Sequence, residues 1–300
     1  MQLAYQTIFG LVCVLLLHYA YIMRHRFPKN LDTTYRPPVV HPLPTQTMTP
    51  SVAEPENNIT TTKVCVLTAT TSRVQPDSPP LPLSAYCIPS LLKTIEPGFE
   101  YALMVGYDSD DLYFDDPTHR EELNKLAQPV PLLWYAYDNP KRKPGPIFNN
   151  ISAQAVLEGC DYLYRINDDT EMQGKWTSEF IRVLTSFEPA NVGVVGPTCD
   201  QGNTAILTHD FVHKTHHAIF GFHYPPVLTD WWLDDWITSV YGPSRTLKLK
   251  HVSVIHHLQP TRYTVTFSNE EKLKDQVEAG SLLVNNYLSG TGGDGSEVVV

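Results

Sequence analysis

Short apolar runs alternate with segments of helical periodicity between residues 64 and 166, and this alternation restricts the folds open to the chain. The apolar runs are continuous and rich in β-branched residues, as expected of strands that are covered on both faces. We predict strands at 64–70, 101–106, 130–137, 161–166 and 192–196, and helices at 83–95, 117–126 and 147–157. This order predicts an α/β fold with a mainly parallel sheet flanked by helices.

Polar clusters follow three of the predicted strands. Residues 70–73 follow the first strand, residues 108–111 follow the second, and Asn167-Asp168-Asp169 follows the fourth. Ligands of open parallel sheets bind beyond the carboxyl ends of the strands, so we expect a binding site where these clusters meet. The residues that we assign to a nucleotide on this basis are Thr68, Thr70, Arg73 and Asp108.

The sequence Asn167-Asp168-Asp169 places two adjacent carboxylates at a strand end. Like charges repel, so the pair is easiest to explain if a cation lies between the two carboxylates. Hard divalent cations such as Mg²⁺ and Mn²⁺ prefer carboxylate oxygens and can neutralise a diphosphate as it leaves. The competing interpretation is an acidic turn that only caps the next element.

The overall charge argues against a nucleic-acid-binding protein. The formal net charge is −10 and the chain has no long basic run, whereas binding to nucleic acid requires a cationic surface that displaces counterions. An anionic small ligand held through a metal ion stays compatible with this charge. Because 42% of the residues are hydrophobic, the chain can also form a sizeable core.

The N-terminus predicts a membrane anchor. Residues 3–23 are apolar almost throughout, and about 20 such residues span a bilayer as a helix. The segment is too long for a cleaved signal peptide and lacks a cleavage site, so we interpret it as an uncleaved signal anchor. Basic residues at 24–29 favour a cytoplasmic domain, whereas sequons at Asn58 and Asn150 favour the lumen. We predict a single-pass type II membrane protein with a lumenal domain, because long domains translocate despite local charge.

The remaining segments differ in composition. Residues 24–62 are rich in proline and threonine and predict an extended stem, and residues 63–289 predict the globular domain. A capping-box sequence at Ser268 begins a last predicted helix to about residue 287, and the Gly-rich tail 290–300 is predicted to be disordered. Besides Cys13 in the anchor, the chain has four cysteines: Cys65, Cys87, Cys160 and Cys199. Four cysteines allow three sets of disulfide pairs, and we favour none of them.

A strand that ends in an Asp-Asp motif after an N-terminal βαβ half resembles the GT-A-fold glycosyltransferases and their metal-binding DxD motif. The motif here reads Asn167-Asp168-Asp169, with Asn in the first acidic position, and the resemblance covers roughly residues 64–257. The order of anchor, stem and domain is also similar to that of Golgi glycosyltransferases. The resemblance implies a GT-A-like mixed sheet with a Rossmann-like nucleotide half and an acceptor half. It also implies Mn²⁺ or Mg²⁺, a UDP-sugar donor, and a glycan or protein hydroxyl as acceptor.

Three tryptophans surround two carboxylates in the segment 229–236, TDWWLDDW. Aromatic faces stack on sugar rings, and apolar walls raise the pKa of a carboxylate toward a value that suits a general base. By resemblance to inverting GT-A enzymes, Asp235 is our first choice for the base that deprotonates the acceptor, and Asp234 is our second. The structural alternative is an amphipathic helix whose tryptophans lie in the core.

Two histidine patterns are candidates for metal binding. His256 and His257 end a predicted strand, and the resemblance implies that one of them joins Asp168 and Asp169 as a metal ligand; we select His256. His209 and His213 would share one face of a helix, in a near match to the HExxH motif of zinc proteases. Asp replaces Glu in that motif and the βαβ start does not suit the class, so we disfavour a metalloprotease and expect a helix beside the site.

The basic patch at residues 141–143 precedes the helix predicted at 147. We assign Lys143, together with Asn167 and Asp168, to the nucleotide, and the alternative is a solvated loop. The sequon at Asn150 lies in the same predicted helix, so its glycosylation stays open.

Two other functions also stay open. A nucleotidyltransferase would normally carry a Gly-rich phosphate loop, which residues 68–73 lack, and a non-catalytic lumenal binding protein would keep the same fold.

Overall fold

An eight-stranded sheet forms the centre of the computed structural model, which describes residues 61–73, 81–258, 262–266 and 269–290. The predicted membrane anchor, the stem up to residue 60 and the tail beyond residue 290 lie outside these ranges. Within them, no helix has both the length and the apolar character needed to cross a bilayer.

The strand order is β3-β2-β1-β4-β7-β6-β8-β5. Strands β1 to β4 are parallel, β7 is antiparallel to β4 and β6, and β8 pairs parallel with β6 and antiparallel with β5. The sheet is therefore mixed, with the predicted parallel half intact. The strands are β1 (Thr62–Thr70), β2 (Phe99–Asp108), β3 (Leu132–Tyr137), β4 (Tyr162–Asn167), β5 (Thr170–Gln173), β6 (Val194–Cys199), β7 (Asp210–His213) and β8 (Thr246–His256).

Helices cover both faces of the sheet, as predicted. They are α1 (Ile88–Thr94), which continues a π-helical turn (Leu83–Cys87), α2 (Leu112–Asp115), α3 (Pro117–Ala127), α4 (Pro144–Leu157), α5 (Thr177–Thr185), α6 (Thr215–Phe220), α7 (Leu233–Val240) and α8 (Glu270–Leu288). Alternate residues of each strand enter two separate cores because side chains in a strand alternate between faces. Val66 packs with α1 and α5 on one face, and Leu67 packs with α4 and α7 on the other.

One local prediction was wrong. The segment with His209 and His213 is not a helix, because Asp210–His213 forms β7 and pairs with β4. The apolar pair between the histidines is too short to fix a period, so tertiary pairing decides its conformation. The last predicted helix is confirmed as α8, which follows Asn269 with φ of 69° and no side-chain cap; Ser268, on which the predicted capping box depends, lies outside the described ranges.

A disulfide joins the first and fourth strands of the parallel half. Cys65 lies in β1 and Cys160 lies just before β4, with 5.8 Å between their Cα atoms. The bond is fully buried against the α4 side of the sheet. The sequence favoured no pairing, because only the adjacent strands bring these two cysteines within bonding distance. Cys87 and Cys199 are buried free thiols.

We expect this disulfide to contribute strongly to stability. The bond closes a loop with a sequence separation of 95 residues, and cross-linking a loop of about 100 residues restricts the unfolded chain by roughly 4–5 kcal/mol. The Cys65→Ala/Cys160→Ala variant should lose about that free energy of unfolding in urea denaturation. Reductant should lower the midpoint of the wild type and leave that of the variant unchanged. Equal wild-type midpoints with and without reductant would contradict the pairing.

Candidate active site

The parallel pairing of β1 with β2 and β4 brings the three polar clusters to one edge of the sheet. Thr70 ends β1 beside the end of β2, and Ala69 stands opposite Asn167 of β4. Strands β5 and β8 pair just beyond the end of β4, where His256 stands opposite Thr170. The structure thus places the predicted metal residues and most of the predicted nucleotide residues at a common edge.

Asp168 is buried at this edge and is held by an arginine from the C-terminal part of the chain. Both carboxylate oxygens face the guanidinium of Arg262, whose Nη1 lies 2.6 Å from Oδ2. The hydroxyl of Thr70 donates to the same Oδ2 at 2.6 Å. Burial raises the pKa of Asp168 and repulsion from Asp169 adds to the rise, whereas Arg262 and Thr70 oppose it. The carboxylate of Asp168 is therefore occupied by protein partners.

Asp169 instead faces His256. The Oδ1 atom of Asp169 lies 3.0 Å from Nε2 of His256, and the side-chain amide of Asn167 lies 3.5 Å from that same nitrogen. Adjacent ligands of an octahedral cation with bonds of about 2.1 Å are about 3 Å apart. The 3.0 Å between Asp169 and His256 matches that spacing, and it is equally the distance of a direct hydrogen bond or ion pair between the two side chains.

The third predicted ligand is not turned toward this pair. No group of three or more His, Cys, Asp or Glu side chains in the described ranges is arranged to hold a metal ion. The reason is the Arg262 fork, which takes both oxygens of Asp168 and supplies the positive charge that its burial requires.

Asp108 ends β2 without any exposed surface. Arg73 forms an ion pair with its carboxylate, Nη1 of Arg142 lies 3.6 Å away, and Nδ2 of Asn139 donates to it at 2.7 Å. The two predicted nucleotide residues Arg73 and Asp108 thus bind each other. A ligand that uses either one must replace this pair.

Thr68 and Lys143 are less available than predicted. Thr68 is fully buried within β1, and its hydroxyl has no hydrogen-bond partner in the described part of the chain. Lys143 is the N-cap of α4, and its ammonium pairs with Asp230 and donates to Thr266 at 2.9 Å. The loop with Asp230 is therefore joined to the start of α4.

Residues 262–266, which we call the covering segment, lie across these strand ends. Besides the Arg262 pair, the hydroxyl of Tyr263 donates to the carbonyl of Thr70 at 2.8 Å. The amide of Thr264 donates to the carbonyl of Arg142 at 2.8 Å, and the amide of Thr266 donates to Asp230 at 2.9 Å. The covering segment therefore contacts the loops after β1 and β3 as well as Asp168.

The tryptophan-rich segment divides between core and surface. Trp236 is fully buried in α7, as the structural alternative requires, whereas Trp231 is 49% exposed. Asp234 forms an ion pair with Arg165, with 3.1 Å between Oδ1 and Nη2. Asp235 forms no ion pair with the described residues; burial raises its pKa, and a hydrogen bond from its own backbone amide opposes the rise. Both predicted base residues thus lie in the first turn of α7, in different surroundings.

Sequence reasoning missed several residues of this region. Arg165 carried a usable signal, because a single arginine inside the apolar strand 162–166 must have a buried partner. Asp111 was predicted only as part of a polar cluster, yet it fixes the loop after β1 by accepting from the amide and hydroxyl of Ser72 at 2.7 and 2.6 Å. Arg262 lies more than 90 residues from Asp168, so no local pattern points to it.

Comparison with known proteins identifies the fold and leaves the family open. No protein-family model and no curated protein sequence matches the chain. Residues 1–349 of S. aureus TarS in complex with UDP match with a TM-score of 0.51 at 13% identity, over 76% of this chain and 70% of that one. GalNAc-T7 with UDP, GalNAc and Mn²⁺ matches with a TM-score of 0.52 at 9% identity, over 74% of this chain and 48% of that one.

These likenesses show that the described domain has a GT-A-like fold, as the sequence predicted. The chain spans only about half the length of the longer structures it matches, with 46% of a longer TarS structure and 48% of GalNAc-T7.

We expect Arg262→Met to destabilise the domain strongly. The variant leaves the Asp168 carboxylate buried without its guanidinium, and breaking a buried ion pair costs about 3–5 kcal/mol of unfolding free energy. Arg182→Met removes an exposed pair with Glu179 and should cost less than about 1 kcal/mol. Asp168→Asn added to Arg262→Met should recover part of the loss in urea denaturation. Equal losses for the two single variants would contradict the buried pair.

Acid should unfold the domain through its buried histidines. Burial lowers the pKa of His209 and His217 to about 3 and lowers that of His216 well below its ordinary value. Below pH 6.5 the unfolded chain therefore binds protons that the folded chain excludes, so stability falls as the pH falls. Three histidines predict a slope of up to about 4 kcal/mol per pH unit near pH 5 in denaturation series.

The matched variants for this slope are His217→Phe and His251→Gln. His217→Phe removes one partly buried imidazole and should reduce the slope by up to about 1.4 kcal/mol per pH unit. His251 is exposed, so its replacement by Gln should change the slope less than His217→Phe does. If both variants keep the wild-type slope, the pH dependence of stability does not come from the buried histidines.

Proposed function

We propose that the protein is a metal-dependent glycosyltransferase that moves a sugar from a nucleotide donor, most simply a UDP-sugar, to a hydroxyl of a glycan or protein. The observation that carries this proposal is the position of Asp168, Asp169 and His256 at one edge of a GT-A-like sheet, where Asp168 and Asp169 follow β4 and His256 contacts Asp169. Both solved structures described above were determined with UDP, and one of them also with Mn²⁺.

The charges at this edge suit a nucleotide diphosphate. Arg73, Arg142, Lys143 and Arg262 line the strand ends, each paired with a carboxylate. Asp169 and His256, with Asp168, would hold Mn²⁺ or Mg²⁺, which when bound supplies positive charge to the departing diphosphate. Thr70, Asp108 and Asn167 lie beside these groups and would orient the nucleoside.

The acceptor side would be formed by α7. The carboxylate of Asp235 or Asp234 would take the proton of the acceptor hydroxyl. The acceptor oxygen would form its bond to the anomeric carbon while the bond from that carbon to the diphosphate oxygen breaks, which inverts the configuration. Burial raises the pKa of both carboxylates, which increases their strength as bases.

We also propose that the domain lies in the lumen of the Golgi or ER as part of a type II membrane protein. The buried Cys65–Cys160 disulfide supports this location, because such bonds persist in oxidising compartments. The apolar segment 3–23 and the two sequons are in accord with it. Asn150 lies half-buried in α4, so Asn58 is the better glycan acceptor.

A screen of nucleotide sugars by thermal unfolding tests the proposed function. With Mn²⁺ and a UDP-sugar at about 100 times its Kd, the free energy of unfolding should rise by about 2.7 kcal/mol, and UDP should be released when an acceptor is present. Asp169→Asn should remove the part of the shift that depends on Mn²⁺. Asp161→Asn makes the same charge change before the start of β4 and should retain that shift.

The other functions predict different results. A binding protein would be stabilised by a nucleotide sugar without releasing UDP, and a nucleotidyltransferase would release pyrophosphate from a nucleoside triphosphate and a sugar phosphate. No stabilisation by any nucleotide sugar would overturn the proposal.

A further inference from the structure

Arg165 is a charged residue in the middle of a buried strand, and its guanidinium joins three elements. Its side chain is 6% exposed, and its guanidinium lies 4.7 Å from the ring centroid of Phe148 in α4. Nη1 donates to the carbonyl of Thr208 at 2.7 Å, and Nη2 lies 3.1 Å from Oδ1 of Asp234. The ion pair therefore fixes the first turn of α7 against the strand that ends in Asp168 and Asp169.

The second carboxylate near Arg165 has other partners. Asp210 stands opposite Arg165 in the register of β7 and β4 and has no exposed surface. Its carboxylate accepts from Nε2 of His223 at 2.9 Å and from the hydroxyl of Tyr224 at 2.5 Å. Because these donors satisfy Asp210, the guanidinium of Arg165 remains available to Asp234.

The two carboxylates of α7 have different electrostatic surroundings. The charge of Arg165 lowers the pKa of Asp234 and the charges of Asp210 and Asp235 raise it, whereas no other charged residue shifts the pKa of Asp235. The ion pair with Arg165 places Asp234 beside β4, the strand that precedes Asp168 and Asp169. The side chain of Asp234 is 23% exposed, and Oδ1 is the oxygen that faces the guanidinium, which leaves Oδ2 as the oxygen for a ligand.

We infer that Arg165 is a positioning residue that holds Asp234 ionised and oriented, and that Asp234 rather than Asp235 is the base for the acceptor. The inference rests on the proposed function. Oδ1 stays on the guanidinium, and Oδ2 takes the proton of the acceptor hydroxyl. The acceptor oxygen bonds to the anomeric carbon, and the diphosphate leaves with the electron pair of the bond that breaks.

Steady-state kinetics of four variants tests both parts. Asp234→Asn should lower kcat by about 10²–10⁴-fold, the usual contribution of a general base, and keep the donor KM within about twofold. The fold-decrease in kcat caused by Asp235→Asn should be at least about ten times smaller than that caused by Asp234→Asn. Arg165→Met should lower kcat by about tenfold or more at an unchanged donor KM, and Arg165→Lys should restore part of it, which a purely structural role would not produce.

The inference is overturned if Asp235→Asn loses more activity than Asp234→Asn, or if both Arg165 variants keep the wild-type kcat. If Arg165→Met does not fold, Arg165→Lys and the neutral Arg165→Met/Asp234→Asn variant replace it. The two single variants and the double variant also form a cycle in thermal unfolding. Non-additive shifts support the pairing, and additive shifts overturn it.

This cycle needs no turnover and therefore separates the two proposals. If the wild type neither binds a nucleotide sugar nor releases UDP, the proposed function fails and the assignment of Asp234 as a base fails with it. The positioning of Asp234 by Arg165 is then decided by the cycle alone. If the wild type is active while the shifts are additive, the proposed function survives and the inference is overturned.

Discussion

The parallel pairing of β1 with both β2 and β4 is the constraint on which the candidate site depends. Parallel strands end at the same edge, so this pairing alone brings Thr70, Asp108 and Asn167 together from segments that are far apart in sequence. The Cys65–Cys160 bond joins β1 to the start of β4 at the opposite edge. The register that aligns the strand ends is therefore held by this covalent bond as well as by the backbone hydrogen bonds between the strands.

Charge compensation is the second organising feature, and it follows from burial. Asp108, Asp168 and Asp234 are mostly or wholly withdrawn from water, and such carboxylates are costly unless a cation or several donors face them. Each one has an arginine partner from a different part of the chain. The acidic edge is therefore neutralised by the protein itself, and it is also fixed in geometry, because every pair ties one loop or strand to another.

The sequence predicted the parallel half of the sheet well because hydrophobic periodicity and strand-end clusters are local signals. The antiparallel half was less predictable. β7 is short, and its conformation is decided by pairing with β4, which no window around His209 reveals. The disulfide and the Arg262–Asp168 pair depend on three-dimensional proximity across more than 90 residues. The residue types of the site could be predicted, whereas their partners required the fold.

The Arg262 pair also bears on how a metal can bind at this edge. Asp169 and His256 are spaced for a shared cation, but Asp168 already has both oxygens on a guanidinium, supported by the hydroxyl of Thr70. A cation that also takes Asp168 must therefore displace Arg262, and the free energy of that exchange subtracts from its affinity.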